Sequence, residues 1–221
     1  DSLKHTASEF RLGEDSAKLL DEADLLVISP GVPIDAPVVK TAKEMNMPVM
    51  GELELASSLL QGEMLAISGT NGKTTTTTLL GKIFENAGRV THVAGNIGYP
   101  LSAVAMVAKK EDVSVVEVSS FQLESVKTFH PKVAALLNIT EDHLNRHGTM
   151  EQYVKLKQRI FENQTADDVA VLNQNDPLLL PMAEKLKSKA AFFSRTQEVA
   201  NGACVIDGKI VWQWEGARKI I

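Results

Sequence analysis

The stretch Ala66-Ile67-Ser68-Gly69-Thr70-Asn71-Gly72-Lys73-Thr74-Thr75 decides the fold. Apolar residues lead into it and a helix-length segment leaves it, so it reads as strand, glycine loop, helix. Backbone N–H groups of such a loop cradle phosphate oxygens, and the N-terminus of the following helix adds the positive end of its dipole. Gly69 and Gly72 let the backbone come close to a phosphate, with Thr70, Asn71 and Thr75 completing the cradle. Lys73 is expected to reach the terminal phosphates of ATP, and the Thr74 hydroxyl to ligate Mg²⁺. The general phosphate-loop pattern carries a glycine five residues before Gly72, where this chain has Ile67.

The 221 residues suffice for one large domain, or one domain and part of another. The net charge of −5 offers no basic patch for nucleic acid or an anionic membrane. Cys204 is the only cysteine, so no intrachain disulfide forms, and a cytosolic location is expected. No apolar run approaches the ~18 residues of a membrane span, and no signal peptide is visible. The first residue is Asp1, and a fragment is expected.

Outward from the loop, strands alternate with helices, which predicts an α/β fold with a mostly parallel sheet. Residues 1–20 are polar and weakly patterned. Strands are expected at 23–29, 48–50, 64–68, 113–118, 133–138, 169–173 and 190–193. Helices are expected at 37–46, 52–60, 74–86, 100–109, 150–163 and 177–188. Gly51 reads as a hinge between modules and Gly88 as a helix stop. Residues 94–98 read as a second glycine-rich loop. Thr149 and Gln152 have capping-box spacing. Residues 204–212 alternate around Asp207-Gly208, the signature of a two-residue hairpin and so of a short antiparallel addition.

Glu117 falls near the carboxyl end of a strand, where open α/β sheets bind ligands; it reads as a Mg²⁺ ligand or as a partly solvated acid. Asn138-Ile139-Thr140-Glu141-Asp142-His143 leaves another strand end. Its oxygens and imidazole suit a second metal or substrate site, the alternative being a loop histidine without a role. Tyr153, Lys157 and Phe161 share one helical face at i, i+4, i+8, with Ile160 close by. Either burial depresses the Lys157 pKa, leaving a nucleophilic amine able to take up CO₂, or its stem packs and its head reaches water. Asn173-Gln174-Asn175-Asp176 is only a weak match to the base-reading motif of GTPases, and no Asp-x-x-Gly switch motif occurs.

Gly69-Thr70-Asn71-Gly72-Lys73-Thr74, Gly95-Asn96-Ile97-Gly98, Glu117-Val118-Ser119-Ser120-Phe121-Gln122-Leu123-Glu124 and Thr140-Glu141-Asp142-His143 together resemble, in this order, the Mur ligase family, whose phosphate loop also lacks the first glycine. The likeness covers nearly the whole chain and leans to the branch that adds D-glutamate to UDP-N-acetylmuramoyl-L-alanine. It implies a three-domain, cytoplasmic, monomeric enzyme of peptidoglycan synthesis, in which ATP converts the substrate carboxylate to an acyl phosphate that the D-glutamate amine attacks. It implies that residues 1–51 are the end of a Rossmann-like UDP-binding domain, and that 52–221 are a P-loop NTPase-like central domain with helices on both faces of its sheet. An Asn-rich segment and the C-terminal domain would lie outside the chain, leaving the fragment able to bind nucleotide but not to ligate.

By motif, Lys73, His143 and Lys157 carry over as catalytic. Thr74 and Glu117 serve one Mg²⁺; His143 and a carbamylated Lys157 serve the second. Ser29, Gly31, Asn96, Ser119, Gln122 and His143 carry over as contacts to the UDP-muramoyl substrate. Asn145 stands where the family often has Asp. The competing readings are another Mur-type ligase, a phosphate-loop small-molecule kinase or nucleotide switch, and a non-catalytic nucleotide-sugar module.

Overall fold

A computed structural model describes residue 9 and residues 13–221. The weakly patterned residues 1–8 and 10–12 lie outside the described part. A 3-10 helix, Gly13–Glu22, precedes a parallel pair: β1 (Leu26–Ile28) and β2 (Val49–Gly51), joined through α1 (Pro37–Glu44). β2 runs directly into α2 (Glu52–Leu59). Gly51, expected as a hinge, is extended rather than left-handed; a Cβ there would sit 2.0 Å from Ser125 Oγ, so a larger residue would require the Ser125 side chain to shift.

Among the described residues, the main sheet has nine strands: β3 (Glu63–Ser68), β4 (Thr91–Gly95), β5 (Val113–Glu117), β6 (Val133–Leu136), β7 (Val169–Asn173), β8 (Lys189–Ser194), β9 (Gly202–Ile206), β10 (Lys209–Trp214) and β11 (Ala217–Ile220). Their order is β11-β10-β9-β8-β7-β6-β3-β5-β4. Pairing is parallel from β4 through β9, and β10 and β11 add antiparallel. β3, which carries the phosphate loop, is therefore interior, paired on both sides by β6 and β5. Alternation along the strands sorts two cores. Met64, Ala66, Val116, Ala134 and Leu136 pack on one face with Leu53, Leu101 and Tyr153 of α2, α4 (Leu101–Ala105) and α7 (Met150–Gln158). Ile67, Val113, Val115 and Ala135 pack on the other with Leu80 and Phe84 of α3 (Lys73–Asn86). This is the α/β sheet with helices on both faces that the sequence led us to expect.

Elements named in sequence recur with shifted ends. α3 stops in a Schellman arrangement: Gly88 N–H bonds Glu85 O, Arg89 N–H bonds Phe84 O, and Gly88 has φ +80°. Thr149 Oγ1 accepts from Gln152 N–H at the start of α7, which gives way to 3-10 turns at Arg159–Phe161. The helix expected over 177–188 shrinks to α8 (Leu180–Ala183). Pro181 explains its late start. A helix begun at Pro177 would need an N–H from residue 181, whereas proline fits only a first turn. Residues 94–98, expected as loop, begin inside β4, an unanticipated strand. α5 (Ser120–Leu123), α6 (Leu144–His147) and β11 were also unanticipated. The Asp207-Gly208 turn forms as expected, with φ +48° and +73°.

Candidate nucleotide-binding site

The loops leaving β3, β4, β5 and β6 meet at the carboxyl edge of the sheet, the ligand side of open parallel sheets. Residues 69–72 join β3 to α3. Gly72 caps the helix with φ +83°, bringing no capping side chain, and no acidic residue stands in the first turn of α3. Lys73 Nζ donates to Gly69 O (3.0 Å) and Thr70 O (2.9 Å). Lys157 Nζ donates to the same Gly69 O at 2.8 Å. Two ammonium groups thus converge on one uncapped helix N-terminus. That donor set fits a polyanion such as a nucleotide phosphate chain.

Beside the loop lies Glu117, at the end of β5 and 2% exposed. Thr74 Oγ1 donates to Glu117 Oε2 (2.7 Å), and Asn96 Nδ2 donates to Oε1 (2.9 Å). A carboxylate and a hydroxyl at this distance, next to a phosphate cradle, suit a hard divalent cation such as Mg²⁺. Thr75 is exposed on the first turn of α3, and Thr70 and Asn71 are tied to the loop after β6.

Lys157 is wholly buried, with Nζ 4.8 Å from the Tyr153 ring centre. Of the two readings of this lysine, the buried one holds. Burial first, and then the charge of Lys73, lower its pKa to about 7, with Asp142 pulling the other way. Tyr153 is equally buried, and its hydroxyl lies 3.4 Å from Thr70 Oγ1.

His143 has φ +50° at the start of α6. Its half-exposed ring rests on Phe121 with centroids 4.9 Å apart, and Nε2 lies 3.4 Å from Asp142 Oδ2. Lys157 Nζ is directed to Gly69 O, and the His143 ring to Phe121 and Asp142. Among the described residues, no group of three or more His, Cys, Asp or Glu is arranged to hold a metal.

Ser119 and Gln122 satisfy one another. Ser119 N–H and Oγ donate to Gln122 Oε1, and Gln122 N–H returns to Ser119 Oγ, a capping box on α5. The Ser119-x-x-Gln122 spacing is a capping-box signal that the sequence reading passed over. Ser29 lines a crevice with Phe121 and Gln122, and Gly31 lies in the turn closed by Val32 N–H on Ser29 O. Exposed Asn145 borders a cleft of about 710 Å³ with Ile34, Asp35, Arg146 and Gln152. Sequence reasoning passed over His147. Its buried ring stacks on Tyr153, its Nε2 meets Ser120 Oγ at 3.0 Å, and burial lowers its pKa against the pull of Glu124. Asn173 and Asp176, weighed as a base-reading motif, instead brace the β6 loop: Asn173 Nδ2 donates to Leu137 O, and Asp176 Oδ2 accepts Ile139 N–H.

Fold and site define a phosphate-loop α/β protein of the nucleotide-binding class. Comparison with known proteins narrows this. The family profile described as Mur ligase middle domain matches residues 67–211, and that described as Mur ligase MurD-like, N-terminal domain, matches residues 1–51. The chain belongs to the Mur ligase family. It is 48% identical over 222 aligned positions to the UDP-N-acetylmuramoylalanine–D-glutamate ligase of Thermoanaerobacter sp. (strain X514), covering 100% of this chain and 49% of that protein. The chain thus spans about half the length of the curated relatives it matches. Among solved structures, a UDP-N-acetylmuramoyl-L-alanyl-D-glutamate–2,6-diaminopimelate ligase superposes with a TM-score of 0.62 at 20% identity, over 91% of this chain and 54% of that one. The MurF ligase of Thermotoga maritima in complex with ADP gives 0.56 at 19%, over 91% and 56%. Among the described residues, no helix is long and apolar enough to cross a membrane.

Proposed function

We propose that this chain is the nucleotide-binding, carboxylate-activating part of a cytoplasmic, monomeric ligase that joins D-glutamate to UDP-N-acetylmuramoyl-L-alanine in peptidoglycan synthesis. Residues 1–51 are the end of the UDP-binding domain and 52–221 the central ATP-binding domain. ATP supplies the phosphoryl group that turns the substrate carboxylate into an acyl phosphate. Lys73 and the N–H groups at the start of α3 hold its phosphates. Thr74 and Glu117 would hold one Mg²⁺, and His143 and a carbamylated Lys157 would hold a second. A lysine with a pKa near 7 is partly neutral at physiological pH, the form able to add to CO₂. Asn96, Ser119, Gln122, His143, Ser29 and Gly31 contact the UDP-muramoyl substrate. When bound, the two cations would offset the charge gathered by triphosphate and carboxylate.

The observation that carries this reading is the convergence of Lys73, Thr74 and Glu117 at one sheet edge, in a chain 48% identical to a ligase of that name. The test replaces the matching segment of the Thermoanaerobacter ligase with these 221 residues. The hybrid, the intact ligase and the 221-residue chain each receive ATP, Mg²⁺, UDP-N-acetylmuramoyl-L-alanine and D-[¹⁴C]glutamate. Labelled amide is expected from the first two and not from the chain alone, since positioning the amine supplies about 7–11 kcal/mol of such a barrier. A folded hybrid that makes no amide, or that in the presence of D-glutamate releases a stable phosphorylated product in place of amide, contradicts the reading.

A further inference from the structure

We propose that Asn138 is a positioning residue for the phosphate loop, fixing the Gly72 N–H toward nucleotide phosphate; the inference rests on the reading of residues 69–74 as the ATP site. Ile67 replaces the first glycine of the usual pattern and is buried within β3, so only residues 69–72 are free to form the cradle. Their shape is imposed from the loop after β6. Thr70 N–H donates to Asn138 O at 2.9 Å. The Asn138 carboxamide grips both backbone groups of Asn71: Oδ1 accepts Asn71 N–H at 2.8 Å, and Nδ2 donates to Asn71 O at 3.0 Å. Thr70 Oγ1 accepts Thr140 N–H (3.0 Å) and donates to Thr140 O (3.2 Å). The two loops also touch, since a Cβ on Gly69 would lie 3.1 Å from Leu137 Cβ.

The second carboxamide bond is the informative one. Asn71 O and Gly72 N–H belong to one planar trans peptide and point in opposite directions. Holding Asn71 O on Asn138 Nδ2 therefore turns Gly72 N–H away from Asn138. Gly72, with φ +83°, has no side chain to set that orientation by packing. The clamp is itself anchored, because Asn173 and Asp176 fix residues 137 and 139 on either side of it. The same loop ends at His143.

The experiment measures ATP and ADP dissociation constants at fixed Mg²⁺ for the 221-residue chain, Asn138→Ala and Asn138→Asp, with the melting temperature and the hydrogen exchange of the Asn71 and Gly72 amides in the nucleotide-free proteins. Loss of the two carboxamide bonds in Asn138→Ala should weaken ATP about tenfold in the folded protein and speed Asn71 exchange. Asn138→Asp, which sets an acceptor against Asn71 O, should weaken it further. A residue serving stability alone would lower the melting temperature and leave the affinity of the folded protein unchanged; that result in both variants overturns the proposal. If the parent chain itself fails to bind ATP, the functional reading falls and this inference with it. If the parent binds and the variants bind equally, only the inference falls.

Discussion

Lys157 shows how one side chain links burial to chemistry. Its ammonium is enclosed with Tyr153 and aimed at a carbonyl that Lys73 also uses. In the unfolded chain its pKa returns to the ordinary value near 10.5, against about 7 in the fold. Between those values the unfolded chain binds more protons, so this group makes stability rise with pH, and its penalty is fully present below about 7. Lys157→Met removes the charge at similar length. Urea denaturation should therefore find the variant's stability, relative to the parent, most favourable near pH 7 and declining toward pH 10. A difference that stays constant across that range would contradict the assigned burial cost. At this scale the sequence was informative wherever chemistry has a local spelling. Lys73, Thr74, Glu117 and Asn96 are neighbours in the fold as their motifs implied. The helical spacing of Tyr153, Lys157 and Phe161 correctly marked a buried face. The Asn138–Asn71 grip was not legible, because its partners lie 67 positions apart and nothing local marks the pair.

Elements follow the same division. α3 and its stop at Gly88 were legible because glycine, apolar spacing and length agree. β4 was hidden by its glycine-rich exit, and α5 and α6 by being only four residues long. The role of α2 was hidden too. Its Glu54, 2% exposed, accepts the N–H groups of Lys127, Thr128 and Phe129 and the Thr128 hydroxyl at 2.6–3.1 Å. One helical carboxylate thereby fixes residues 127–129 of the connection from α5 to β6, which Arg159 and Asn163 grip through its carbonyls. Burial alone would raise its pKa, but these four donors hold it below the ordinary carboxylate range. Glu54→Gln sets an amide nitrogen against those donors and should cost about 2 kcal/mol or more at neutral pH. The sign in acid follows from the lowered pKa. The stabilisation is present above the ordinary glutamate value and is lost as pH falls through the folded one. Thermal unfolding of parent and variant should therefore converge in acid. Equal melting at neutral pH would show that the connection is held by something other than Glu54.

At the scale of the molecule, the parallel pairing of β3 with β5 and β6 brings the phosphate loop, the Glu117 end of β5 and the braced loop after β6 to one edge. The fold class was legible because seven apolar runs alternate with amphipathic ones. The position of β10 and β11 was half legible: Asp207-Gly208 announces one hairpin, while the equivalent Glu215-Gly216 turn, with φ +47° and +85°, lies in a polar tail that disguises β11. All the chemistry assigned to the chain depends on that edge receiving a nucleotide. The most direct test is calorimetric titration of ATP, at fixed Mg²⁺, into the 221-residue chain and into its Lys73→Ala variant. Removing one charge-assisted phosphate contact of about 1.5–3 kcal/mol should weaken binding by roughly ten- to a hundredfold while leaving the fold intact. Equal affinities in the two folded proteins would place the nucleotide elsewhere and contradict the account.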